Sequence, residues 1–317
     1  MLTQSDGWYC LQSYSAGDTT DSTAPHTTSI SLDNRGLAYG DGFFTTMGVI
    51  DGEILWHDYH QQRIRSHAHA LQLDINDHNL RQSLQAYAQS LQHGMLKLLI
   101  TRAPQTIRGY GFVPCASGSA CEMWLKAAAM TITTSEHWRL PNGERLPMQP
   151  VISATCLTAQ LACLPPPLAG LKSLNRLDNV LASGELQGIN QTCSDIGEGL
   201  VRDMSGHWVE GTMSNVFYQL DSQINTQINA QKLTFDTSGQ SDNIQWYTPP
   251  LDCSGVRGVM RTVIMDAYAS AGMPIIERPL MDEDLPYLSQ LFFCNALRGV
   301  MPVSSLRLLT GEVIKFA

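Results

Sequence analysis

The chain has five lysines, at positions 97, 126, 172, 232 and 315, so chemistry that needs an amine has few places to sit. A lysine that bonds covalently to a carbonyl compound must first shed its proton, and removal from water is what lowers its pKa. Lys315 stands near the last residue and Lys232 in a polar stretch. Lys97 and Lys126 fall in strand-like runs, where alternation leaves either face open to them. Lys172 differs, because Leu168-Ala-Gly-Leu-Lys-Ser-Leu-Asn-Arg-Leu177 sets it between a Pro-rich loop and an amphipathic segment. A cation near a helix N-terminus opposes the macrodipole, a hint of function. By its residues alone, the segment still reads first as an ordinary helix start.

A second constellation is Leu251-Asp-Cys-Ser-Gly-Val-Arg-Gly-Val-Met-Arg261. Gly255 and Gly258 open a helix there, and the first-turn N–H groups would point at any anion placed before them. Neither the phosphate loop G-x-x-x-x-G-K-[ST] nor G-x-G-x-x-G is present, so nucleotide binding is not expected. His57, His60, His67 and His69 cluster around one predicted helix. No carboxylate falls at a matching spacing, so no metal site is expected and these read as solvated helix histidines.

The elements that must position these residues follow from periodicity and punctuation. Phe43–Ile50 and Glu53–His57 read as a hairpin around Asp51-Gly52. Asp58 and Gln61 predict a capping box, opening a helix with Ile64, Ala68 and Leu71 on one face. Asn76 is expected to cap a second helix carrying Leu80, Leu84, Tyr87 and Leu91. Strands are expected at Met95–Thr101, Met123–Thr131, Val151–Cys156 and Gln290–Cys294, with two or three more between Leu200 and Leu220. Helices are expected over Leu174–Leu186, with Leu174, Leu177 and Leu181 in register, and over Gly258–Ala271. Residues 10–30 and 221–245 read as surface insertions. The pattern lacks a regular βαβα alternation and predicts an α+β chain of two domains. A smaller N-terminal domain spans 1–131, a Pro-rich linker 132–150 and a larger domain 151–317.

Composition limits the function classes. The 317 residues include 29 Asp and Glu against 20 Lys and Arg, a net charge of −9 with pI near 5.4. Such a chain has no global field for a polyanion, so no nucleic-acid partner is expected. No apolar run of about 18 residues exists, so no membrane span is expected. Met1-Leu-Thr-Gln-Ser-Asp-Gly lacks a basic segment followed by an apolar core, so no signal peptide is expected. The eight cysteines are scattered without a C-x-x-C pair, the pattern of reduced thiols in a cytoplasmic protein.

Six segments, met in order, carry a resemblance. Asp33-Asn-Arg-Gly-Leu-Ala-Tyr-Gly-Asp-Gly-Phe-Phe-Thr-Thr46 resembles the N-terminal signature of the class IV pyridoxal-phosphate-dependent aminotransferase family. His60-Gln-Gln-Arg-Ile64 resembles its H-x-x-R-L. Leu171-Lys-Ser-Leu-Asn-Arg-Leu177 is similar to the K-H-L-N-R-L of the family's aminodeoxychorismate lyase branch. Val209-Glu-Gly-Thr-Met-Ser-Asn-Val-Phe217 resembles E-x-x-x-x-N-x-F. Thr248-Pro-Pro-Leu with Gly255-Val-Arg-Gly-Val-Met-Arg261 resembles the phosphate-cup turn, and Cys294-Asn-Ala-Leu-Arg-Gly-Val-Met-Pro-Val303 the lyase C-N-A-L-x-x-V-M-P-V. The resemblance covers about residues 31–317.

It implies the two-domain fold type IV, similar to D-amino-acid aminotransferase, with pyridoxal 5'-phosphate as cofactor. Lys172 is then the lysine that carries the cofactor and moves protons, and Glu210 the carboxylate facing the pyridine nitrogen. Arg63, the N–H groups of Val259 and Met260, and Asn295 with Ala296 hold the phosphate. Arg257 and Arg261 receive no cofactor role. Phe44-Thr45-Thr46 replaces the Phe-Glu usual in the family's transaminases, and Lys97-Leu-Leu-Ile-Thr-Arg102 and Arg108-Gly-Tyr-Gly111 also resemble the lyases. Lys97, Arg108 and Phe44 are therefore carried over as substrate-binding residues and Thr46 as a catalytic hydroxyl. The expected reaction turns 4-amino-4-deoxychorismate into 4-aminobenzoate and pyruvate. A homodimer, with functional coupling to aminodeoxychorismate synthase, is implied too. The alternatives are a D-amino-acid or branched-chain transaminase, an idle vitamin B6 carrier and a ligand-free structural dimer.

The departures from the family pattern are an expanded segment at 10–30, Asn34 where an acidic residue is common, and the insertion at 221–245.

Overall fold

The computed structural model describes residues 7–12, 30–132, 136–193, 195–221 and 245–316. Most of the two expected insertions, with Lys232, lies outside the described residues. The chain is α+β and divides into two compact units. One comprises Met1–Ile132 with Leu171–Arg176, the other Thr133–Gly170 with Leu177–Ala317.

In the first unit, β1 (Gly7–Gln12), β2 (Gly42–Ile50), β3 (Glu53–Ile54), β4 (Gly94–Arg102) and β5 (Cys121–Ala129) form an antiparallel sheet in the order β1-β5-β4-β2-β3. The β2–β3 turn is the expected one, Asp51 and Gly52 both having positive φ (51° and 75°), as a two-residue hairpin requires. Alternation sorts the sheet's two faces. Phe43, Met47, Val49, Leu96, Leu98, Ile100, Met123 and Leu125 pack with α2 (His57–Ala70) and α3 (Asp77–Leu91) in one core. Phe44, Thr46, Lys97 and Lys126 stand on the opposite face. A short helix, α1 (Arg35–Tyr39), precedes β2, and Asn34 caps it by accepting the Leu37 N–H.

Helix α3 starts at Asn76 as expected, its side chain accepting the Asn79 N–H. Helix α2 does not use the expected capping box. Trp56, at φ 51°, is its N-cap and contributes no side-chain bond. Asp58 instead accepts from Arg81 (2.8 Å), and Gln61 turns inward, 1% exposed, onto His57 Nε2 (3.1 Å).

The second unit opens with β6 (Glu136–Arg139) and β7 (Arg145–Met148), an antiparallel hairpin inside the stretch expected to be a linker. Val300 pairs with Met148, which ties that hairpin into the sheet and explains why the prolines around it do not leave it loose. There follow β8 (Ile152–Leu161), α4 (Leu177–Thr192), β9 (Ile196–Asp203), β10 (Trp208–Gly211), β11 (Asn215–Leu220) and β12 (Tyr247–Thr248). The chain continues through α5 (Val259–Ser270), β13 (Ile276–Glu277), a 3₁₀ helix (Asp282–Tyr287), β14 (Leu288–Asn295), β15 (Gly299–Arg307) and β16 (Val313–Lys315). These strands make one mixed sheet, in which β8 lies parallel to both β9 and β15 while β10, β11, β14 and β15 are joined antiparallel.

Helix α4 corrects the expectation for Leu174–Leu186. It begins only at Leu177, because residues 171–176 are spent on pairing with the first unit. Leu177 and Leu181 are 78% and 70% exposed, and the buried positions are Ala182 and Leu186.

Candidate functional site

Lys172 lies 128 positions beyond Phe44 in sequence, yet its backbone is part of the first unit. The Phe44 N–H donates to the Lys172 carbonyl (3.1 Å) and the Leu174 N–H to the Gly42 carbonyl (3.0 Å), a two-bond bridge onto β2. Gly42 permits this approach, since a Cβ there would meet the Ile100 carbonyl oxygen at 2.2 Å and a Leu174 methyl at 3.1 Å. The Arg176 guanidinium folds back to donate to the carbonyls of Leu171 (2.5 Å) and Ser173 (3.4 Å), closing the turn around the lysine. Lys172 Nζ stands 4.8 Å from the centroid of the Phe44 ring, and Lys97 Nζ stands 5.0 Å from the same centroid. One phenyl ring thus faces two ammonium groups, each attracted to its π cloud by roughly 0.5–1 kcal/mol at exposed sites.

Lys97 is opposite Thr46 on β2 and opposite Lys126 on β5. Partial burial, and then the charge of Lys126, lower the Lys97 pKa below the usual lysine value. No carboxylate among the described residues forms a salt bridge with either lysine. The pair therefore offers positive charge to an anion on the face that carries Phe44 and Thr46. Lys126 was not singled out by the sequence; its position opposite Lys97 is a matter of register, which strand-like runs do not reveal. Arg108 is exposed, and no hydrogen bond or ion pair among the described residues ties it to Lys97, Phe44 or Thr46. Its segment is anchored by Arg35, which donates to the carbonyls of Gly109 and Tyr110 (both 3.1 Å) and shares Asp41 with Arg102.

Helix α2 turns a polar face inward. His60, Arg63 and His67 are 0%, 8% and 4% exposed, which overturns the solvated reading for His60 and His67, whereas His57 is half-buried and His69 exposed. Their partners explain the burial: His60 Nδ1 meets Thr45 Oγ1 (2.8 Å), and His67 Nε2 accepts the Lys172 N–H (2.9 Å). Burial first, then the charges of Arg63, Lys172 and Arg176, press the His67 pKa down to about 3. Burial lowers Arg63 to about 10, which still leaves it a cation at neutral pH.

On the second unit, Glu210 sits in β10 with 3% exposure. Its Oε2 accepts the Val256 N–H (2.8 Å) and an Asn215 side-chain N–H (3.4 Å), and its Oε1 accepts from Asn179 (3.4 Å). Asn215 also donates to the Val256 carbonyl (2.8 Å), so one side chain braces both the carboxylate and the loop before α5. Gly258, the N-cap of α5, must lack a side chain, since a Cβ would come within 1.9 Å of Asn215 Oδ1. The N–H groups of Val259 and Met260 open that helix without partners inside it, the arrangement that favours an anion. Arg261 is spent on structure: it donates to Thr248 Oγ1, the Pro249 carbonyl and Glu277. Asn295 is engaged as well, its Oδ1 accepting the N–H groups of Leu297 and Arg298 in the β14–β15 turn beside Ala296.

The sequence reading missed Glu198. This 1%-exposed carboxylate accepts from the N–H groups of Gly199 and Thr212 and from the hydroxyls of Thr212 and Ser214, fixing the turn that follows Glu210. An acid within the apolar run Ile196-Gly-Glu-Gly-Leu-Val201 was the available signal, because a buried carboxylate needs several donors.

The amino-transferase class IV family model matches residues 42–306. The chain belongs to that family. Class IV enzymes depend on pyridoxal phosphate, and this chain is one of them. An aminodeoxychorismate lyase of Vibrio harveyi is 24% identical over 281 residues, 88% of each chain. A crystal structure of 4-amino-4-deoxychorismate lyase from Pseudomonas aeruginosa is similar with a TM-score of 0.71 and 29% identity, covering 92% of each chain. A putative branched-chain-amino-acid aminotransferase of Methanocaldococcus jannaschii is also 24% identical, over 86% of this chain and 81% of its own. Each unit, taken by itself, carries donors of the types that the class IV cofactor needs. An anchored amine, a buried guanidinium, a braced carboxylate and a helix start with a bare glycine cap are what an aldehyde, a phosphate and a ring nitrogen require.

Proposed function

We propose that this class IV enzyme is a lyase that converts 4-amino-4-deoxychorismate into 4-aminobenzoate and pyruvate. The observation that carries the reading is Lys97 beside Lys126, on the sheet face that holds Phe44, Thr46 and Lys172. A substrate with two carboxylates suits adjacent cations that lack a carboxylate partner among the described residues. The likeness to two lyases over about nine-tenths of the chain supports the same assignment.

When bound, pyridoxal phosphate supplies an electron-poor ring that accepts the electron pair left on a substrate carbon. Lys172 would hold it and Arg63 would bind its phosphate, with the N–H groups of Val259 and Met260 and the Asn295–Ala296 turn. Glu210 would keep the pyridine nitrogen protonated. Lys172 Nζ, freed when the substrate's amine takes its place, would take the proton from C4 of the substrate, the bond between the neighbouring carbon and the enolpyruvyl oxygen would break, and the substrate ring would become aromatic. The released enol gains a proton to become pyruvate. Thr46 offers a hydroxyl to this proton traffic, and Lys97 with Lys126 would hold a carboxylate beside Phe44, Arg108 being the further cation that the family resemblance supplies.

The reading makes the protein a cytoplasmic enzyme of folate-precursor synthesis, coupled in function to aminodeoxychorismate synthase. No helix among the described residues is long and apolar enough to cross a membrane. Homodimer formation is supported by α4, whose Leu177, Val180 and Leu181 form an exposed apolar stripe at helical spacing.

The test is an assay on cofactor-loaded protein given 4-amino-4-deoxychorismate, scoring both products. Equal amounts of 4-aminobenzoate and pyruvate are expected. Absence of both, with a panel of D- or branched-chain amino acids consumed instead, would replace the lyase by a transaminase, the reading that the Methanocaldococcus relative favours.

A further inference from the structure

His67 lies one helical turn beyond Arg63 on the inward face of α2, and the reaction described above gives it no part. Its Nε2 accepts the Lys172 N–H at 2.9 Å, its Nδ1 is 3.3 Å from Ser66 Oγ, and its ring meets Phe43 edge-on with 5.3 Å between centroids. The Lys172 carbonyl is taken by the Phe44 N–H (3.1 Å). Both polar groups of the Lys172 backbone are therefore held, one by helix α2 and one by strand β2. From that anchor the four-carbon side chain carries the amine.

We propose that His67 is a positioning residue for Lys172, an uncharged acceptor that fixes the backbone from which the amine works and ties it to the helix bearing Arg63. This rests on the assignment of Lys172 as the lysine that carries the cofactor. The chemistry of the position favours imidazole. An acceptor is required, because an aliphatic side chain would leave a buried N–H unsatisfied. A carboxylate would accept too, but it would place a negative charge next to Arg63, Lys172 and Arg176 and form an ion pair with one of them. Neutral imidazole accepts without competing for those cations. Accepting at Nε2 requires the ring proton on Nδ1, so the geometry specifies the tautomer. The same three cations, with burial, keep a second proton off the ring.

Full-length protein, with and without cofactor, tests this through His67→Gln and His67→Leu. Glutamine Oε1 is as many bonds from Cβ as histidine Nε2 and can accept; leucine fills space only. In cofactor-free wild-type protein, nitrogen NMR shifts of His67 should report the Nδ1–H tautomer, unchanged from about pH 5 to about pH 9. Hydrogen exchange at the Lys172 amide should be slow in wild type and His67→Gln and at least roughly tenfold faster in His67→Leu. In cofactor-loaded protein, the pH midpoint of the absorbance band formed at Lys172 should shift in His67→Leu and return in His67→Gln. In His67→Leu, kcat should fall about tenfold or more with KM little changed.

The Nε2–H tautomer in wild type would overturn the proposal with no variant needed. So would a Lys172 amide, or a band midpoint, indifferent to His67→Leu. If the amide is protected as expected but wild-type protein forms no band at Lys172, the assignment of the lysine fails, and the positioning role fails with it. A band that forms normally and ignores His67 would overturn the positioning role alone.

Discussion

Phe44 holds Lys172 twice: its N–H donates to the Lys172 carbonyl at 3.1 Å, and its ring lies 4.8 Å from Lys172 Nζ. The two contacts are separable. The backbone bond survives any substitution that keeps the N–H, whereas the ring contact is lost with the ring. Phe44→Leu should therefore fold normally and retain cofactor, while turnover falls about fivefold for a lost contact of about 1 kcal/mol. Unchanged kcat in this variant would show that the ring does not influence the amine.

Lys172→Ala should abolish turnover together with the visible absorbance band of bound cofactor, while the far-ultraviolet spectrum stays native. The bridge to β2 uses only backbone atoms, so the fold does not depend on the amine. Residual activity above about one part in a thousand would rule out its proposed acid–base role.

Lys97→Met should raise KM for the proposed dicarboxylate substrate more than it lowers kcat, since a cation that binds ground and transition states alike acts on KM. The pH dependence has a definite sign. The Lys97 pKa is already lowered by burial and by Lys126, so substrate affinity should weaken on the alkaline side below the usual lysine range. Lys126→Ala removes one of those causes and should move that alkaline limb upward. A limb that stays in place would show that Lys97 is not the titrating group.

His67 predicts acid sensitivity. Its pKa is about 3 in the folded chain against 6.5 when exposed, so below about pH 6.5 the unfolded chain binds a proton that the folded chain refuses. The stability contribution is full above that pH and is lost as pH falls toward 3. Urea unfolding should give a His67→Gln variant a flatter profile across this window. A parallel profile in wild type and variant would contradict the assignment.

Glu198→Ala should destabilise the fold by about 2–4 kcal/mol, read as a drop in urea midpoint, because it strands buried donors of Thr212 and Ser214. With Glu210 in the strand that leads into this turn, cofactor affinity should fall alongside. Wild-type stability would mean that water replaces the carboxylate.

Much of this molecule could be read from residue order. The β2–β3 turn follows from Asp51-Gly52, the start of α3 from Asn76, and α5 from Gly258 with Val259, Val263 and Ala267, because turns, caps and apolar periodicity are local properties. Lys172, Glu210 and Arg63 were singled out because their motifs occur in the family's order. Tertiary structure decided what depends on distant partners. It showed that residues 171–176, though late in the chain, fold onto β2, which delays α4 to Leu177 and turns Leu177 and Leu181 outward. It placed Lys126 opposite Lys97, gave Asp58 to Arg81 instead of a capping box, and committed Arg261 and the side chain of Asn295 to their own loops. It also buried His60 and His67. A polar helix face looks solvent-bound in sequence, and only the chain elsewhere supplies the hydroxyl of Thr45 and the amide of Lys172 that make such burial affordable.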